Sequence, residues 1–191
     1  AERAHQLKDF DSPELARQAE AAQKRALDLF DVKGTESQSK IRHEMGQSME
    51  EGVGIYREEE SMQKTIDTLK DLQKRLVNVG ITDRGRVFNT EWMNRIELGY
   101  TLDVAQCMVH SAINRKESRG SHQRLDGPNG AYKQRDDVNF LKHSLAFKQD
   151  GADETRIELS DVKITTFQPA KRVYGAEAEA AEAARKAKEA K

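Results

Sequence analysis

The amino-acid sequence predicts a mainly α-helical protein, in which a helical bundle is followed by a small α+β extension that contains a β-hairpin. Three observations lead to this fold class. The three prolines leave the interval from Glu14 to Leu125 free of the strongest helix breaker. Apolar residues recur at helical spacing through most of that interval. After Ser118 the helical spacing ends, and turns that contain glycine begin.

The first two predicted helices have recognisable end signals. Ser12-Pro13-Glu14 has the order of an N-cap, an N1 proline and a first-turn acid, which predicts a helix from about Pro13 to Phe30. A second helix is predicted from Ser37 to Gly52, where glycines make continuation costly. The apolar residues that support them are Leu15, Ala19, Ala22, Ala26 and Leu29 in the first helix, and Ile41, Met45 and Met49 in the second.

The third and fourth helices carry the strongest apolar patterns. The third is predicted from Glu58 to Gly80, with acidic residues at the positive end of the helix dipole and one clean apolar stripe. The fourth is predicted from Thr90 to Arg115 and has two apolar rows. These rows are Ile96, Tyr100, Val104 and Cys107, and Leu98, Leu102, Ala105 and Val109. Two rows indicate contact on two sides, so we predict that this helix is central in the bundle.

The chain divides into three predicted regions. Residues 1–118 form the helical bundle, and residues 119–175 form the mixed extension. In the extension, two extended stretches from Ser144 to Lys148 and from Arg156 to Thr166 predict the hairpin. Residues 176–191 contain only Ala, Glu, Lys and Arg, so we expect a frayed helix or a disordered tail there.

Composition excludes several classes of function. Lys+Arg 32 against Asp+Glu 33 gives a net charge of -1, which supplies no global field for nucleic acid or anionic lipid. A single cysteine, Cys107, excludes an internal disulfide and any multi-thiolate zinc or iron–sulfur site within this chain. No run approaches the ~20 apolar residues of a membrane span. The chain begins at Ala1 without an initiator Met or a signal peptide, so we expect a soluble fragment of a longer protein.

The common chemical motifs are incomplete. Gly52-Val53-Gly54 lacks the third glycine and the strand-to-helix context of a phosphate-binding loop. His43-Glu44 lacks the second histidine at i+4 that a helical zinc site needs. Cys107 lies on an apolar helical row, which favours a buried thiol over a nucleophile. The sequence therefore predicts no catalytic residue, no cofactor-binding residue and no metal ligand in this chain.

The densest polar segment follows the fourth helix, from Arg115 to Asp126, and continues in a second cluster up to His143. Three interpretations compete. The first is a run of charged side chains exposed to solvent. The second is a catalytic site in which His122 is the acid or base. The third is a structural junction in which arginine side chains form paired hydrogen bonds with carboxylates and backbone carbonyls. We favour the junction, because Gly, Ser and His are poor choices for a helix surface and no cofactor motif accompanies them. The predicted members of this interdomain and partner network are Arg115, Glu117, Ser118, Arg119, His122, Arg124, Asp126, Arg135, Asp136, Asp137 and His143.

These polar stretches are also recognisable. Residues 115–126 (RKESRGSHQRLD) and 135–143 (RDDVNFLKH) closely resemble the C-terminal signature of the succinate dehydrogenase and fumarate reductase flavoprotein family, which L-aspartate oxidase shares in part. Residues 41–46, 49–57 and 87–90 look like the helical region that precedes this signature. Residues 161–175 look like the bacterial, quinol-linked fumarate reductase branch. Two departures are Ser121, where Ala is usual, and a longer loop at 127–134.

The resemblance implies a parent flavoprotein, with FAD, that reduces fumarate to succinate in anaerobic respiration, using electrons that an iron–sulfur subunit receives from membrane quinol. It places the flavin-linking histidine and the dicarboxylate-binding residues before this region, so no catalytic residue is carried over. It implies a spectrin-like three-helix domain that packs against the flavin-binding domain and helps to contact the iron–sulfur subunit, at the cytoplasmic face of the inner membrane.

Three other assignments stay open at this point. The first two are the corresponding domain of a succinate dehydrogenase and that of an L-aspartate oxidase. The third is an autonomous helical module that binds another protein. A nucleic-acid role is disfavoured, because the balanced charge offers little counterion release.

Overall fold

Four long helices are the main elements of the computed structural model, which describes residues 12–130, 132, 135–148, 155–170, 174–176, 178–180 and 183. The helices are α1 (Pro13–Asp28), α2 (Gln38–Val53), α3 (Glu59–Leu76) and α4 (Thr90–Asn114). All four predicted helices are confirmed. Helix α3 ends four residues before Gly80, because the chain closes in a turn in which Asn78 N–H donates to the Arg75 carbonyl at 2.9 Å.

Short polar side chains set where two of these helices begin. Asn89 precedes α4, and its side-chain oxygen accepts a hydrogen bond from Trp92 N–H at 2.8 Å. The Asn89 amide also donates to the carbonyls of Asp83 and Gly85, which ties the preceding loop to the helix. Ser37 caps α2 more loosely, with Oγ 3.4 Å from Lys40 N.

The hydrophobic core lies between α2, α3 and α4. Its buried side chains are Ile41, Met45 and Val53 from α2, Met62, Ile66, Leu69 and Leu72 from α3, Val79 from the following loop, and Leu98, Leu102, Ala105, Val109 and Ala112 from α4. Helix α1 contributes no buried residue. Helix α1 contacts the start of α4, where Trp92 Nε1 donates to the Ala26 carbonyl at 2.8 Å. The Trp92 ring also packs against Phe30, which follows α1.

Helix α4 buries only one of its two apolar rows. The row that includes Leu98 and Leu102 is fully buried, as expected for a central element. The other row is only partly covered by the described residues, since Ile96 and Cys107 are half-buried, whereas Tyr100 is 68% exposed and Val104 is 57% exposed. The predicted contact along this row is therefore incomplete in the described residues, and Cys107 is a half-buried thiol rather than a fully buried one.

Helices α2 and α3 approach closely at Gly52. Thr65 of α3 donates a hydrogen bond to the Ser48 carbonyl of α2 at 3.0 Å. A Cβ at Gly52 would lie only 2.1 Å from Thr65 Oγ1, so the missing side chain allows the contact. By contrast, a Cβ at Gly46 in the same helix would meet nothing within 4 Å.

Two small sheets complete the fold. Strands β1 (Tyr56–Arg57) and β2 (Gln123–Arg124) form a parallel pair that the sequence did not predict, with Tyr56 opposite Gln123. Strands β3 (Lys142–Phe147) and β4 (Arg156–Asp161) form the second sheet, which agrees with the two predicted extended stretches. A short helix, α5 (Asp137–Phe140), precedes β3. The predicted class, a helical bundle with a small β extension, is confirmed.

The chain forms two compact units, with the boundary between Ser160 and Asp161. In the second unit, residues 162–170 have no regular structure, although the sequence predicted that the strand continues to Thr166. Gly175 adopts a positive φ of 57, and its carbonyl accepts from Ala178 N–H at 2.9 Å. The described residues of the 176–191 tail are helical, and the remainder of the tail lies outside the described residues. No helix in the described part of the chain combines the length and apolar character that crossing a bilayer requires.

Candidate functional site

The predicted polar segment folds back on itself where α4 ends. Arg119 and His122 exchange backbone hydrogen bonds of 2.9 and 3.0 Å around a turn in which Gly120 has a positive φ of 58. The chain then enters β2, which pairs with β1 directly after α2. This path brings the segment against the start of α3, so side chains distant in sequence converge.

Glu117 is the centre of the resulting network, and its side chain is 0% exposed. Its Oε1 accepts from Arg115 Nη1 at 2.5 Å and from Arg119 Nε at 2.8 Å. Its Oε2 accepts from Arg119 Nη2 at 3.0 Å and from Asp136 N–H at 2.6 Å. Burial raises the pKa of Glu117, but the hydrogen bonds from Arg119, Asp136 and Arg115 outweigh it, so the pKa lies below its ordinary value. Glu117 is therefore a buried, ionised carboxylate.

Arg115 connects this carboxylate to the mixed extension. Its guanidinium donates to the carbonyls of Phe140 and Lys142 at 2.7 and 2.9 Å, and to Ser144 Oγ at 3.3 Å. It also lies 5.6 Å from the centre of the Phe140 ring, at cation–π distance. One side chain thus joins the end of α4 to α5 and β3.

A second group of charges surrounds the start of α5. Asp137 binds Arg119 Nη2 at 2.7 Å and Arg135 Nη2 at 2.8 Å. Asp136 caps α5, since its Oδ1 accepts from Asn139 N–H at 3.0 Å. Hydrogen bonds, first from the Asn139 side chain, lower the pKa of Asp136, and the bond from Arg119 lowers the pKa of Asp137.

Arg124 closes the C-terminal end of α4 from inside the protein. Only 1% of this large cation is exposed. Its Nη1 donates to carbonyls of the last helical turn and the residue after it, at 3.4, 3.0 and 3.2 Å, which belong to Ala112, Ile113 and Arg115. The last carbonyls of a helix lack partners within the helix, so a buried guanidinium is a suitable cap.

The same guanidinium fixes the start of α3. Arg124 Nε and Nη2 bind the two oxygens of Asp126 at 2.7 and 2.8 Å, and the Arg124 bonds lower the pKa of Asp126. Asp126 Oδ2 in turn accepts from the backbone N–H of Glu59, the first residue of α3. Ser118 Oγ holds the Arg124 backbone, accepting from its N–H at 3.0 Å.

His122 lies beneath this network and is 8% exposed. Its two ring nitrogens contact Arg57 of β1 and the Arg115 carbonyl. Burial lowers the pKa of His122, and the nearby positive charges of Arg57, Arg124 and Arg115 lower it further. These surroundings hold the imidazole in its neutral form at neutral pH.

Ten of the eleven predicted network residues therefore meet through hydrogen bonds or ion pairs. His143 does not join them, because strand alternation turns it to the exposed side of β3 while its neighbour Ser144 reaches Arg115. Sequence reasoning missed Arg57 and Glu59, which join from β1 and α3. Arg57 belongs to the 49–57 stretch that resembles the family. This resemblance was the signal in the sequence that could have identified Arg57 as a member of the network.

The Gly52-Val53-Gly54 segment does not fit the pyrophosphate of a flavin dinucleotide. Gly52 and Gly54 stand at the C-terminal end of α2, where helix carbonyls point outward, whereas a pyrophosphate needs the N–H groups of a helix start. The space at Gly52 is filled by Thr65. Among the described residues no group of three His, Cys, Asp or Glu side chains is placed to hold a metal ion. His43 is exposed on α2, and its neighbour Glu44 is bound to Arg75.

Comparison with known proteins gives a consistent result. The family model described as "Fumarate reductase flavoprotein C-term" matches residues 42–174. The fumarate reductase flavoprotein subunit of a Serratia species is 60% identical over 169 residues, which cover 88% of this chain and 27% of that protein. The corresponding Escherichia coli subunit is 59% identical over 167 residues, covering 87% and 27%. This chain therefore spans about a quarter of the length of these relatives.

Solved structures agree. An E. coli quinol fumarate reductase FrdA chain superimposes with a TM-score of 0.81 at 56% identity, covering 91% of this chain and 29% of that one. The apo Mycobacterium smegmatis Sdh1 complex contributes a chain with a TM-score of 0.68 at 28% identity, covering 83% and 26%. The chain belongs to the fumarate reductase flavoprotein C-terminal family.

Proposed function

We propose that this chain is the C-terminal helical domain of a fumarate reductase flavoprotein subunit, which supports the flavin-binding domain and contacts the iron–sulfur subunit. In the whole enzyme, fumarate is reduced to succinate with quinol-derived electrons during anaerobic respiration. The observation that carries the proposal is the Glu117 network, whose residues lie within the part of the chain that the family model matches. FAD belongs to the parent protein, and in this proposal it is held outside this chain; the position of Gly52-Val53-Gly54 at a helix C-terminus supports this.

The role of the chain in catalysis is mechanical. Arg124 joins the end of α4 to the start of α3, and Arg115 joins it to α5 and β3. Buried networks in which every member has a partner make one arrangement rigid, since any displacement leaves charges unpaired. A rigid end of the bundle can hold a neighbouring domain at a fixed position.

The proposed setting is a complex at the cytoplasmic face of the inner membrane. The support for it is the similarity to quinol fumarate reductases, one of which was solved with menaquinol molecules. Quinols reside in the membrane, so the flavoprotein subunit of such a complex is attached there through other subunits.

Succinate dehydrogenase is the second candidate. The succinate dehydrogenase flavoprotein subunit of Coxiella burnetii is 38% identical over 113 residues, against 60% over 169 residues for the Serratia fumarate reductase subunit. The higher identity favours the fumarate reductase branch. Comparing fumarate reduction with succinate oxidation, both measured on the complete complex with artificial electron carriers, would test this choice. Faster succinate oxidation would contradict it.

The supporting role is tested by Arg119→Ala in the complete flavoprotein subunit. The buried Glu117 loses a charged partner, and such a loss costs about 1 to 3 kcal/mol, whereas the exposed bond to Asp137 contributes little. We expect less assembled complex on membranes and a lower melting temperature. Arg17→Ala is the matched control, because Arg17 forms an exposed pair with Glu14 on α1. Unchanged assembly and melting of Arg119→Ala would contradict the proposal.

Two further measurements test the other classes of function, an autonomous interaction module and an independent flavoenzyme. An autonomous interaction module would capture the iron–sulfur subunit from this chain alone, whereas the proposal expects capture only by the complete flavoprotein subunit. An independent flavoenzyme would show the yellow isoalloxazine absorbance near roughly 450 nm in the purified chain. The proposal expects a colourless chain.

A further inference from the structure

Few contacts hold the parallel pair of β1 and β2 together. Gln123 N–H donates to the Ile55 carbonyl at 3.0 Å. Leu125 N–H donates to the Arg57 carbonyl at 2.9 Å. Apolar burial adds little, because Ile55 is 58% exposed and Tyr56 is 67% exposed. Two strands of two residues each are not stable by themselves, so side-chain contacts must contribute to the pairing.

One side-chain contact spans the pair, between Arg57 at the end of β1 and His122 directly before β2. Arg57 Nη1 lies 2.7 Å from His122 Nδ1. Each side chain is also anchored at a second point. Arg57 Nε donates to the Gly54 carbonyl at 2.6 Å, and His122 Nε2 lies 2.9 Å from the Arg115 carbonyl. Because both groups are fixed, their contact holds the two strands together.

This contact exists in only one protonation state of the imidazole. A guanidinium offers donors and no acceptor, so Nδ1 of His122 must accept and must carry no proton. A proton on Nδ1 removes the acceptor and sets two cations against each other. Rotation of Arg57 would relieve the repulsion only by breaking its 2.6 Å bond to the Gly54 carbonyl. The closed strand pair and the protonated ring are therefore incompatible.

The charged groups around the imidazole do not compensate for a proton on it. They are Arg57 of β1, Arg115, Glu117 and Arg119 at and after the end of α4, Arg124 and Asp126 at β2, and Glu59 of α3. Each of the three carboxylates is bound to a guanidinium of this group. Both ring nitrogens are occupied by other partners. Burial and the surrounding guanidinium charges lower the pKa of His122.

We propose that His122 is an acid-sensitive latch, which holds β1 against β2 while its ring is neutral and lets the two strands separate when Nδ1 takes up a proton. The helices stay folded in the separated state, because none of the described core residues belongs to β1 or β2. Separation disconnects the end of α2, which β1 follows, from the segment that closes α4. The latch goes beyond the proposed function and does not depend on it.

Hydrogen–deuterium exchange of the complete flavoprotein subunit at pH 7.5 and pH 5.0 tests the latch. The measured quantity is the protection factor, which compares each amide with an unstructured peptide at the same pH and so removes the slower chemistry of exchange in acid. The amides of Gln123 and Leu125 report on the strand pair, since each bonds to β1. Leu69 in the buried middle of α3 reports on the helical core.

Linkage sets the size of the expected effect. The separated state binds the proton with the ordinary pKa of 6.5, so protection can fall by at most about 30-fold between these two pH values. We expect protection at Gln123 and Leu125 to fall at least about fivefold from pH 7.5 to pH 5.0. Protection at Leu69 should change less than about twofold, because the core does not take part in the opening.

Two variants assign the change to the ring. His122→Gln replaces the imidazole with an amide that does not titrate, so protection at Gln123 and Leu125 should no longer depend on pH. His43→Gln removes an exposed histidine of α2 and should leave the pH dependence of the parent unchanged. If His122→Gln does not fold, the comparison of Gln123 and Leu125 with Leu69 in the unchanged protein still decides the proposal.

Three results would overturn the latch. Equal protection of Gln123 and Leu125 at both pH values would mean that Arg57 turns away while the strands stay paired. An equal fall at Leu69 would mean that acid unfolds the whole bundle. A fall that persists in His122→Gln would assign the opening to another group. None of these results depends on assembly with the iron–sulfur subunit, so failure of the latch can be told apart from failure of the proposed function.

Discussion

Nδ1 of His122 lies 2.7 Å from Nη1 of Arg57, although both side chains can carry positive charge. A guanidinium has only donors, so Nδ1 must be the acceptor and must be unprotonated. Nε2 then carries the ring proton and donates it to the Arg115 carbonyl at 2.9 Å. The contact therefore requires the neutral tautomer with hydrogen on Nε2. Protonation of Nδ1 would place two donors and two positive charges against each other.

The first prediction concerns acid. Because the folded-state pKa of His122 is lowered below its ordinary value of 6.5, the unfolded state binds more protons between the two values. The stability that neutral His122 contributes is complete above pH 6.5 and is lost as the pH falls through the folded-state pKa. Urea unfolding at a series of pH values should show this loss. His122→Gln, whose amide cannot titrate, should have a flatter profile.

A histidine on the surface provides the control for this measurement. His43 is exposed on α2, so His43→Gln should leave the acid profile of the parent unchanged. If His122→Gln keeps the same profile as well, the neutral tautomer does not contribute to stability.

The second prediction concerns the buried carboxylate. Glu117→Gln retains the shape of the side chain but leaves Arg115 and Arg119 without their shared counter-charge. We expect the free energy of unfolding to fall by about 3 kcal/mol, as for other broken buried ion pairs. Glu60→Gln removes an exposed carboxylate that pairs with Lys64 and should cause no measurable change in denaturant unfolding. A loss equal to that of the control would show that the network does not stabilise the fold.

The third prediction uses two glycines of α2 as a matched pair. Gly52→Ala places a methyl group 2.1 Å from Thr65 Oγ1 and 2.8 Å from the Ser61 carbonyl, so α2 and α3 must separate. Overpacking of this kind costs about 1 to 3 kcal/mol. Gly46→Ala meets nothing within 4 Å and should stabilise the helix by about 0.5 to 1 kcal/mol. Melting temperatures that move in opposite directions would bear this out, and equal shifts would argue against the close crossing.

The fourth prediction concerns Gln106 of α4. This residue is 4% exposed, and neither polar atom of its amide has a hydrogen-bond partner among the described residues. An unpaired buried amide costs about 1 to 3 kcal/mol, so Gln106→Leu should raise the free energy of unfolding by about 1 kcal/mol. Gln73→Leu is the contrasting variant, because the Gln73 amide donates to Asp103 at 3.0 Å. Gln73→Leu should not raise the free energy of unfolding. If Gln106→Leu lowers the free energy of unfolding, the Gln106 amide has a hydrogen-bond partner and the prediction is wrong.

Much of the candidate site could be predicted because its residues are close in sequence. Arg115, Glu117 and Arg119 stand at alternate positions, and their charge pairing within one short segment follows from sequence. The contribution of Arg57 could not be predicted, since 65 positions separate it from His122. Nothing in the local pattern of a two-residue strand specifies its partner, because such a strand is too short to show periodicity. Pairing between β1 and β2 depends on how the helices between them pack.

By itself, the amino-acid sequence determined the four helices, their approximate ends, the extended stretches near β3 and β4, and membership of the polar segment in one network. These features depend on local signals such as Ser12-Pro13-Glu14 and on spacing along one helix. Only the tertiary structure decided which apolar row of α4 is buried, because both rows satisfy helical periodicity and burial depends on where α2 and α3 lie. It also decided that His122 is neutral, since a tautomer is set by the atoms that surround the ring, and here one of them comes from Arg57.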